Sequence, residues 1–285
     1  CGYVGRALAE SLMAEGVRVG ALTRNTASAR SLRELGVSKV IVADLHGREW
    51  HDQLIGKYRA VVNCVSSAGG GLDGYEKSYY EGQRSILEWL GPKGTDTYVY
   101  TGSTSVYPQD GGVTVDESAD TTEAPETAQV LLRSEQLLRA SKGCAKHWYV
   151  LRLAGIYGPG RHYLLDSLRG GMPSLPGSGS HHLNLIHLQD IITGLKAALT
   201  GTAPSGIYNL CDDAAAPKEF LLKWLAERLG LPVPCFEPAL STERLRRRGG
   251  RMPDRVICNA KARKQLGWQP AFKDFRQGYE DILAG

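Results

Sequence analysis

Short apolar segments alternate with longer segments of helical pattern through the first half of the chain. Runs rich in valine, isoleucine and tyrosine predict strands at residues 17–23, 37–42, 60–65, 97–101 and 147–153. The segments between them predict helices near residues 6–16, 26–35, 48–57, 72–90 and 125–142. Because short apolar strands that alternate with helices pair in parallel, this pattern predicts an α/β fold with a doubly wound parallel sheet.

The pattern loosens after residue 154, where turn-rich stretches at 158–160 and 170–179 interrupt it. Helices are predicted again near residues 189–200, 217–229 and 260–266. We therefore expect a nucleotide-binding core over residues 1–154. Residues 155–285 are expected to form mostly a smaller C-terminal α/β lobe that can return strands to the core sheet. Ligands of such folds bind at the carboxyl ends of the strands, so the lobe is expected to cover that edge.

The segment Cys1-Gly2-Tyr3-Val4-Gly5 precedes the first predicted helix. In a G-x-G-x-x-G turn, Gly2 would let the backbone approach a diphosphate, and Gly5 would let the helix pack closely on the sheet. The helix would point its free N–H groups at the phosphates; a plain strand–helix turn is the alternative. The first strand of this motif is missing before Gly2. Losing a central strand would expose two sheet edges, so we expect the protein to begin some residues earlier.

Composition narrows the classes of function. The 285 residues, 42% of them hydrophobic, fit one large domain or a core with a smaller lobe, and the net charge of +4 is mild. The basic run at 244–248 has no interleaved aromatic residues, so nucleic-acid binding is not indicated. The six scattered cysteines show no zinc-binding spacing, which favours reduced thiols in the cytoplasm and no metal. No apolar run has the length of a membrane span and no signal peptide is visible, so we expect no membrane association.

Six segments, in this order and spacing, resemble the extended and atypical short-chain dehydrogenase/reductases, the NAD-dependent epimerase/dehydratase superfamily. They are Gly2-Tyr-Val-Gly5, Tyr100-Thr-Gly-Ser-Thr-Ser-Val-Tyr107, Leu151-Arg-Leu-Ala-Gly-Ile-Tyr-Gly-Pro-Gly-Arg161, Asn184-Leu-Ile-His-Leu-Gln-Asp190, Gly206-Ile-Tyr-Asn-Leu210 and Leu266-Gly-Trp-Gln-Pro270. The residues of these segments resemble those of the atypical subgroup that includes bacterial YeeZ-like proteins. The resemblance implies a Rossmann-type domain with a small C-terminal substrate lobe. It also implies a monomer or a homodimer formed through the helices near 72–90 and 125–142.

The resemblance also implies a nicotinamide cofactor. In the family, an acidic residue after the second strand favours NAD because it bonds the ribose 2′-hydroxyl. Here Arg24 takes that place, and its guanidinium fork suits a phosphate, so NADP is preferred over NAD; alternatively, Arg24 simply faces solvent. Asp44 matches the adenine pocket, or else caps the next helix. The predicted cofactor-binding residues are Gly2, Tyr3, Val4, Gly5, Arg24, Asn25, Asp44, Leu45, Val65, Ser66, Ser67, Thr101 and Gly102.

The catalytic residues of the family are only partly matched. Redox members use a Tyr-x-x-x-Lys pair with a Ser or Thr, where the ammonium lowers the tyrosine pKa from about 10. Ser103 matches the hydroxyl residue, but Thr127 and Leu131 replace the tyrosine and the lysine. No tyrosine of the chain has a lysine four residues later. The candidate substitute acids or bases are Tyr107, Tyr157 and His187, each with the alternative of a packed structural side chain.

The substrate contacts are expected from three side chains. Arg161 suits a phosphate or carboxylate, or alternatively pairs with the acidic loop at 108–124. Asn184 reaches the same cavity or bonds a strand end, and His187 completes the set. Three hypotheses of function follow. The first is an NADP-dependent oxidoreductase or epimerase/dehydratase-like enzyme acting on a small carbonyl or nucleotide-sugar-like substrate. The second is a catalytically silent NADP-binding sensor or scaffold; loss of function with the fold retained is a third. The turn-rich entrance at 158–179 favours the enzyme.

Overall fold

A computed structural model describes residues 1–67, 69–171, 173–237 and 252–284. The basic run at 244–248 lies outside the described residues. The helices are α1 Tyr3–Ala14, α2 Thr26–Glu34, α3 Gly71–Tyr75, α4 Gly82–Leu90, α5 Glu126–Ala140, α6 Tyr163–Arg169, α7 Leu188–Leu199, α8 Lys218–Leu229 and α9 Phe275–Ala284. Single turns of 3₁₀-helix occur at His51–Gln53, Gly91–Lys93 and Thr104–Val106, and π-helical turns at Glu76–Glu81 and Ala262–Leu266.

Six of the strands form the parallel core of the fold. These are β1 Gly20–Thr23, β2 Lys39–Val42, β3 Ala60–Asn63, β4 Thr95–Ser103, β6 Ala145–Leu153 and β11 Gly206–Leu210. Strands β11, β6, β4 and β3 follow one another in a four-stranded sheet, and β1 pairs separately with β2, every pair being parallel. The predicted α/β fold with a parallel sheet is confirmed. Because β11 follows residue 155, the C-terminal part of the chain supplies a strand to this sheet.

The remaining strands are short and lie outside this core. They are β5 Val113–Val115, β7 Gly155–Tyr157, β8 Ser174–Pro176, β9 His182–Leu183, β10 Leu185–His187, β12 Ala216–Pro217, β13 Cys235–Glu237 and β14 Arg255–Ile257. They form two-stranded pairs, such as β7 with β10 and β5 with β14. These pairs join segments far apart in the sequence, so sequence periodicity predicted none of them.

A cleft separates the two parallel groups of strands. In the described part of the chain, β1 bonds only β2, and β3 bonds only β4, so their facing edges have no strand between them. The cleft is lined by residues of β1 and β3 and by the apolar side chains of Trp50, Leu54 and Trp89.

Successive residues of β4 face different layers of the core, as the twofold repeat of a strand requires. Tyr98 and Tyr100 are fully buried with residues of α4 and α5, whereas Val99 packs with residues of α1 and α7. Helices therefore cover both faces of the sheet. A separate cluster of buried side chains joins α6, α8 and α9, and this cluster forms the core of the C-terminal lobe.

Several predicted helices differ from those observed. The helix expected near 48–57 is a single turn, because buried Trp50 donates from Nε1 to the Leu45 carbonyl and Gly56 has a φ of +105°. The helix expected at 72–90 is α3, the π-helical turn Glu76–Glu81 and α4 in sequence. Helices α6 and α9 were not predicted. None of the described helices is both long and apolar enough to cross a bilayer.

Candidate functional site

The glycine turn leaves the beginning of α1 open to an anion. Gly2 is the N-terminal cap residue, no side chain caps the helix, and its first turn contains no acidic residue. The first N–H groups of a helix have no partner within the helix, so they remain available as donors. A Cβ on Gly5 would lie 2.8 Å from the Cys64 sulfur, so only glycine lets α1 approach the end of β3 this closely.

A cavity of about 410 Å³ begins at this turn and follows the carboxyl ends of β1, β2 and β3. Seven predicted cofactor-binding residues line it: Gly2, Arg24, Asn25, Asp44, Leu45, Val65 and Ser66. Residues separated by up to 64 positions in the chain thus meet at one edge of the sheet. The cavity also continues into the cleft between β1 and β3, so only its part along the strand ends bears on ligand binding.

The other predicted cofactor residues do not line this cavity. Val4 and Thr101 are buried, and the Thr101 hydroxyl faces the Asn63 carbonyl at 3.4 Å. Gly102 lies against the Glu135 carboxylate, 3.1 Å from where a Cβ would stand. The Val4 side chain therefore belongs to the core, and only its backbone can serve a phosphate.

Arg24 and Asp44 bring opposite charges to the rim of the cavity. Arg24 is exposed, and none of the described carboxylates pairs with it. The next residue, Asn25, caps α2 through its side-chain oxygen, which accepts from the N–H groups of Ala27 at 2.8 Å and Ser28 at 3.1 Å. Asp44 caps no helix, because the next helical turn begins only at residue 51. Both charges are therefore free to meet a ligand.

A second group of side chains lies beside the turn. The Tyr3 hydroxyl donates to the Pro159 carbonyl at 2.9 Å, and the Arg161 guanidinium lies over the Tyr3 ring, 5.6 Å from its centre. The Tyr79 oxygen accepts from the Ser67 N–H at 3.2 Å. Burial raises the pKa of both tyrosines, and the charge of Arg161 acts in the opposite direction on each. Sequence reasoning missed Tyr79, because its candidate tyrosines, Tyr107 and Tyr157, came from the segments that resemble the family, and Tyr79 lies outside those segments.

Ser103 ends β4 and caps the turn Thr104–Val106. Its oxygen accepts from the Ser105 N–H at 3.1 Å, so this serine does bond the loop backbone. None of the described acceptors takes its hydroxyl proton, so the hydroxyl can still donate to a substrate oxygen.

Tyr107 belongs to a buried network and is not an open acid or base. Its hydroxyl donates to the Asn209 side-chain oxygen at 2.8 Å and accepts from Arg152 at 2.9 Å. Arg152 in turn makes two hydrogen bonds to Glu135, at 3.0 and 2.7 Å, with both side chains almost fully buried. Burial is the main cause that raises the pKa of Tyr107. Because both functions of the hydroxyl are occupied, the expectation of a catalytic Tyr107 is corrected to a structural role.

Tyr157 and His187 lie in the C-terminal lobe. The two rings are in edge contact with centres 5.2 Å apart, and Tyr157 also packs on Tyr279 at 5.0 Å. Burial raises the pKa of Tyr157 and lowers that of His187. His187 caps α7, accepting from the Gln189 N–H at 3.4 Å, and is in edge contact with Phe272. Both side chains are only 3% exposed and packed among aromatic rings, so both expectations are corrected to packed structural residues.

Asn184 also serves the fold. Its amide nitrogen donates to the Arg255 carbonyl at 2.8 Å, and its oxygen accepts from the Ile257 N–H at 2.7 Å. It therefore binds β14, which is the strand-end alternative considered for this residue. Arg161, in contrast, pairs with none of the described carboxylates. The acidic loop bonds itself, as Asp116 does with Ser118 and Asp120 with Thr122.

The position that the resemblance predicts for the family's lysine is closed to solvent. Leu131 is 2% exposed and packs in the main core, so no cation can reach the cavity from this position of α5. Across the described ranges, no three His, Cys, Asp or Glu side chains are arranged to hold a metal ion. All six cysteines are described, and each is a free thiol.

Comparison with known proteins agrees with this arrangement. Residues 1–211 match the model of the NAD dependent epimerase/dehydratase family. Protein YeeZ of Escherichia coli strain K12 is 27% identical over 283 residues, covering 96% of this chain and 94% of that protein.

Solved structures of similar fold include MoeE5 in complex with UDP-glucose and NAD. It has a TM-score of 0.82 and 21% identity, over 99% of this chain and 95% of that chain. UDP-glucuronic acid 4-epimerase from Bacillus cereus, in complex with UDP-glucuronic acid and NAD, has a TM-score of 0.81 and 18% identity. Its alignment covers 99% of this chain and 96% of that chain. At these identities the structural likeness establishes the fold.

Proposed function

The chain belongs to the NAD dependent epimerase/dehydratase family, and from this membership we propose that it is an NADP-dependent oxidoreductase or epimerase/dehydratase-like enzyme. Its substrate is a small carbonyl compound or a nucleotide-sugar-like molecule. One observation carries the proposal: the cavity that joins the open N-terminus of α1 to Arg24, Asp44 and Ser66 along one sheet edge. The nucleotide sugars in the structures of MoeE5 and the Bacillus cereus epimerase support the substrate class.

The residues present fit a nicotinamide dinucleotide. The uncapped N–H groups of α1 suit its diphosphate, and a Cβ on Gly2 would meet no atom within 4 Å, which leaves room for close approach. Arg24 suits a ribose 2′-phosphate because its fork is unpaired in the described part of the chain. Ser66 and Ser67 follow β3 toward the nicotinamide. When bound, the cofactor supplies or accepts a hydride.

The remaining proposed roles belong to the chain's own side chains. The Ser103 hydroxyl donates to the substrate oxygen and fixes its orientation. Arg161 binds an anionic group of the substrate, which its lack of a described carboxylate partner leaves it free to do. We further propose that residues 1–154 and 155–285 act as cofactor and substrate domains. The protein is proposed to work in the cytoplasm as a monomer or as a homodimer through α4 and α5.

A second candidate is a catalytically silent NADP-binding sensor or scaffold. The burial of Leu131 favours it, since the position that carries the catalytic ammonium in redox members here holds a core side chain. A sensor needs the cofactor cavity but has no use for Ser103.

Titration of the full-length protein with NADPH and with NADH tests the cofactor. Isothermal titration calorimetry measures the two affinities directly. We expect tighter binding of NADPH, and Arg24→Gln should weaken NADPH at least tenfold while leaving NADH within about twofold, because a lost charged hydrogen bond costs about 1.5–3 kcal/mol. Tighter binding of NADH would refute the role of Arg24.

Turnover separates the enzyme from the sensor. NADPH oxidation is followed with methylglyoxal and other small carbonyl compounds, and epimerisation with UDP-glucose and UDP-glucuronic acid. The enzyme hypothesis predicts turnover that falls in Ser103→Ala with unchanged NADPH affinity. Tight binding of NADPH without any turnover would favour the sensor.

A further inference from the structure

We propose that Tyr79 is the acid/base residue of this site and that Arg161 is the cation that favours its ionised form. Together they would replace the missing tyrosine–lysine pair. This inference rests on the proposed enzymatic function and names the residue that transfers the proton.

Tyr79 combines a hydroxyl proton that none of the described groups accepts with a side chain that is not fully buried. Its oxygen accepts from the Ser67 N–H at 3.2 Å, and none of the described groups accepts from it. The Tyr107 hydroxyl both donates and accepts within its buried network. The Tyr157 hydroxyl is buried in the C-terminal lobe against Gly278. Tyr79 is only half-buried, whereas Tyr107 and Tyr157 are almost fully buried.

The position of Tyr79 follows from the sheet and from one irregular helical turn. Asn63 of β3 pairs with Tyr100 of β4, so Ser67 and Ser103 lie four and three residues beyond this pair, at the same sheet edge. The Tyr79 phenol is bound to Ser67 and therefore belongs to that edge. It lies on the π-helical turn Glu76–Glu81, a geometry that often marks functional sites.

As in a tyrosine–lysine pair, a positive charge favours the ionised form of the Tyr79 phenol. Arg161 lowers the pKa of Tyr79, and so do the hydrogen bonds from Ser67, while burial is the larger cause and raises it. The phenols of Tyr75, whose ring centre is 5.1 Å away, and of Tyr100 also lie near Tyr79. Arg161 is the positively charged side chain among the groups that act on the pKa of Tyr79.

The proton step balances for a carbonyl substrate. The carbonyl carbon receives a hydride from the reduced nicotinamide, and its oxygen takes the proton of Tyr79. The products are an alcohol, the oxidised nicotinamide and a phenolate beside Arg161, which solvent water then reprotonates. In the reverse direction the phenolate accepts the proton of the alcohol.

Ultraviolet titration of the phenolate tests this arrangement without requiring turnover. The difference between wild type and Tyr79→Phe isolates one phenol, and the adjacent Tyr80→Phe is the matched control, because Arg133 rather than Arg161 lies over Tyr80. We expect Arg161→Gln to raise the pKa of Tyr79 by about one unit, since an opposite charge nearby shifts a pKa by about 1–3 units. Arg161→Lys should restore most of that shift. NADP⁺, with its positive nicotinamide, should lower the pKa.

Kinetics give the second arm of the test. With methylglyoxal, or any carbonyl compound that the wild type reduces, Tyr79→Phe should lower kcat by about 100-fold or more, the range typical of a lost general acid. NADPH affinity should stay within about twofold, and Tyr80→Phe should change neither quantity. The inference is overturned if Tyr79→Phe keeps its kcat, or if neither Arg161→Gln nor bound NADP⁺ moves the pKa of Tyr79. Failure of the wild type to bind any nicotinamide cofactor would instead refute the proposed function.

Discussion

Replacing Glu135 by Gln should destabilise the protein more than any other conservative change on α5. Glu135 accepts two hydrogen bonds from Arg152, at 3.0 and 2.7 Å, and the two side chains are only 3% and 4% exposed. A glutamine offers one oxygen and one NH₂ group, so one arginine N–H would face another donor. Removing one partner of a buried ion pair costs about 3–5 kcal/mol, because the remaining charge stays unpaired. That is a large share of the 5–15 kcal/mol that stabilises a typical domain.

Urea unfolding followed by circular dichroism measures this loss as a lower midpoint at an unchanged slope. Glu126→Gln, at the exposed beginning of the same helix, is the matched control and should lie within about 0.5 kcal/mol of wild type. The double change Glu135→Leu with Arg152→Met should recover most of the loss, since apolar side chains of similar volume can replace a buried pair. A loss below about 1 kcal/mol for Glu135→Gln would refute the reasoning.

Three further predictions concern close contacts and one buried carboxyl group. Gly5→Ala should lose at least about 1 kcal/mol of stability and weaken NADPH binding, because its Cβ would lie 2.8 Å from the Cys64 sulfur; an unchanged urea midpoint would contradict this. Gly278→Ala should cost about 1–3 kcal/mol, because its Cβ would overlap the Tyr157 hydroxyl, and adding Tyr157→Phe should recover part of that cost in thermal unfolding. Burial raises the pKa of Asp212 from 3.8 to about 8, so the folded state holds this proton more tightly than the unfolded state does. The protonated Asp212 therefore contributes its full stabilisation below about pH 4, and this contribution is lost as the pH rises through about 8, with a slope of at most about 1.4 kcal/mol per pH unit. Asp212→Asn should flatten the dependence of the unfolding free energy on pH. Identical pH profiles of wild type and Asp212→Asn would exclude this role of Asp212.

The order of strands and helices in the core could be predicted from the sequence, because burial of parallel strands produces continuous apolar runs. Short pairs such as β7 with β10 and β5 with β14 could not, since they join segments 30 and 142 residues apart without a periodic signal. The π-helical turn Glu76–Glu81 was hidden inside a normal helical pattern. One extra residue in a helical turn rotates the side chains that follow, and the amino-acid composition of the segment gives no sign of this extra residue.

The candidate site was predicted where single residues follow the ends of strands. Gly2, Arg24, Asp44 and Ser66 do line one cavity, although their roles remain predictions. The interpretations that failed concerned residues whose bonds cross long distances in the chain. Asn184, for example, contacts β14 more than 70 residues later, and a motif alone cannot reveal such a partner.

The hydrogen bond from Tyr3 to the Pro159 carbonyl joins the first turn of the molecule to the segment that carries Arg161. A coenzyme bound to that turn and a substrate bound to that arginine would therefore contact two segments that this hydrogen bond connects. If binding of the coenzyme changes the affinity for the substrate through this bond, binding of the substrate must change the affinity for the coenzyme by the same factor. Tyr3→Phe, which removes this hydrogen bond, should therefore bring the affinity for each molecule closer to the same value with and without the other bound.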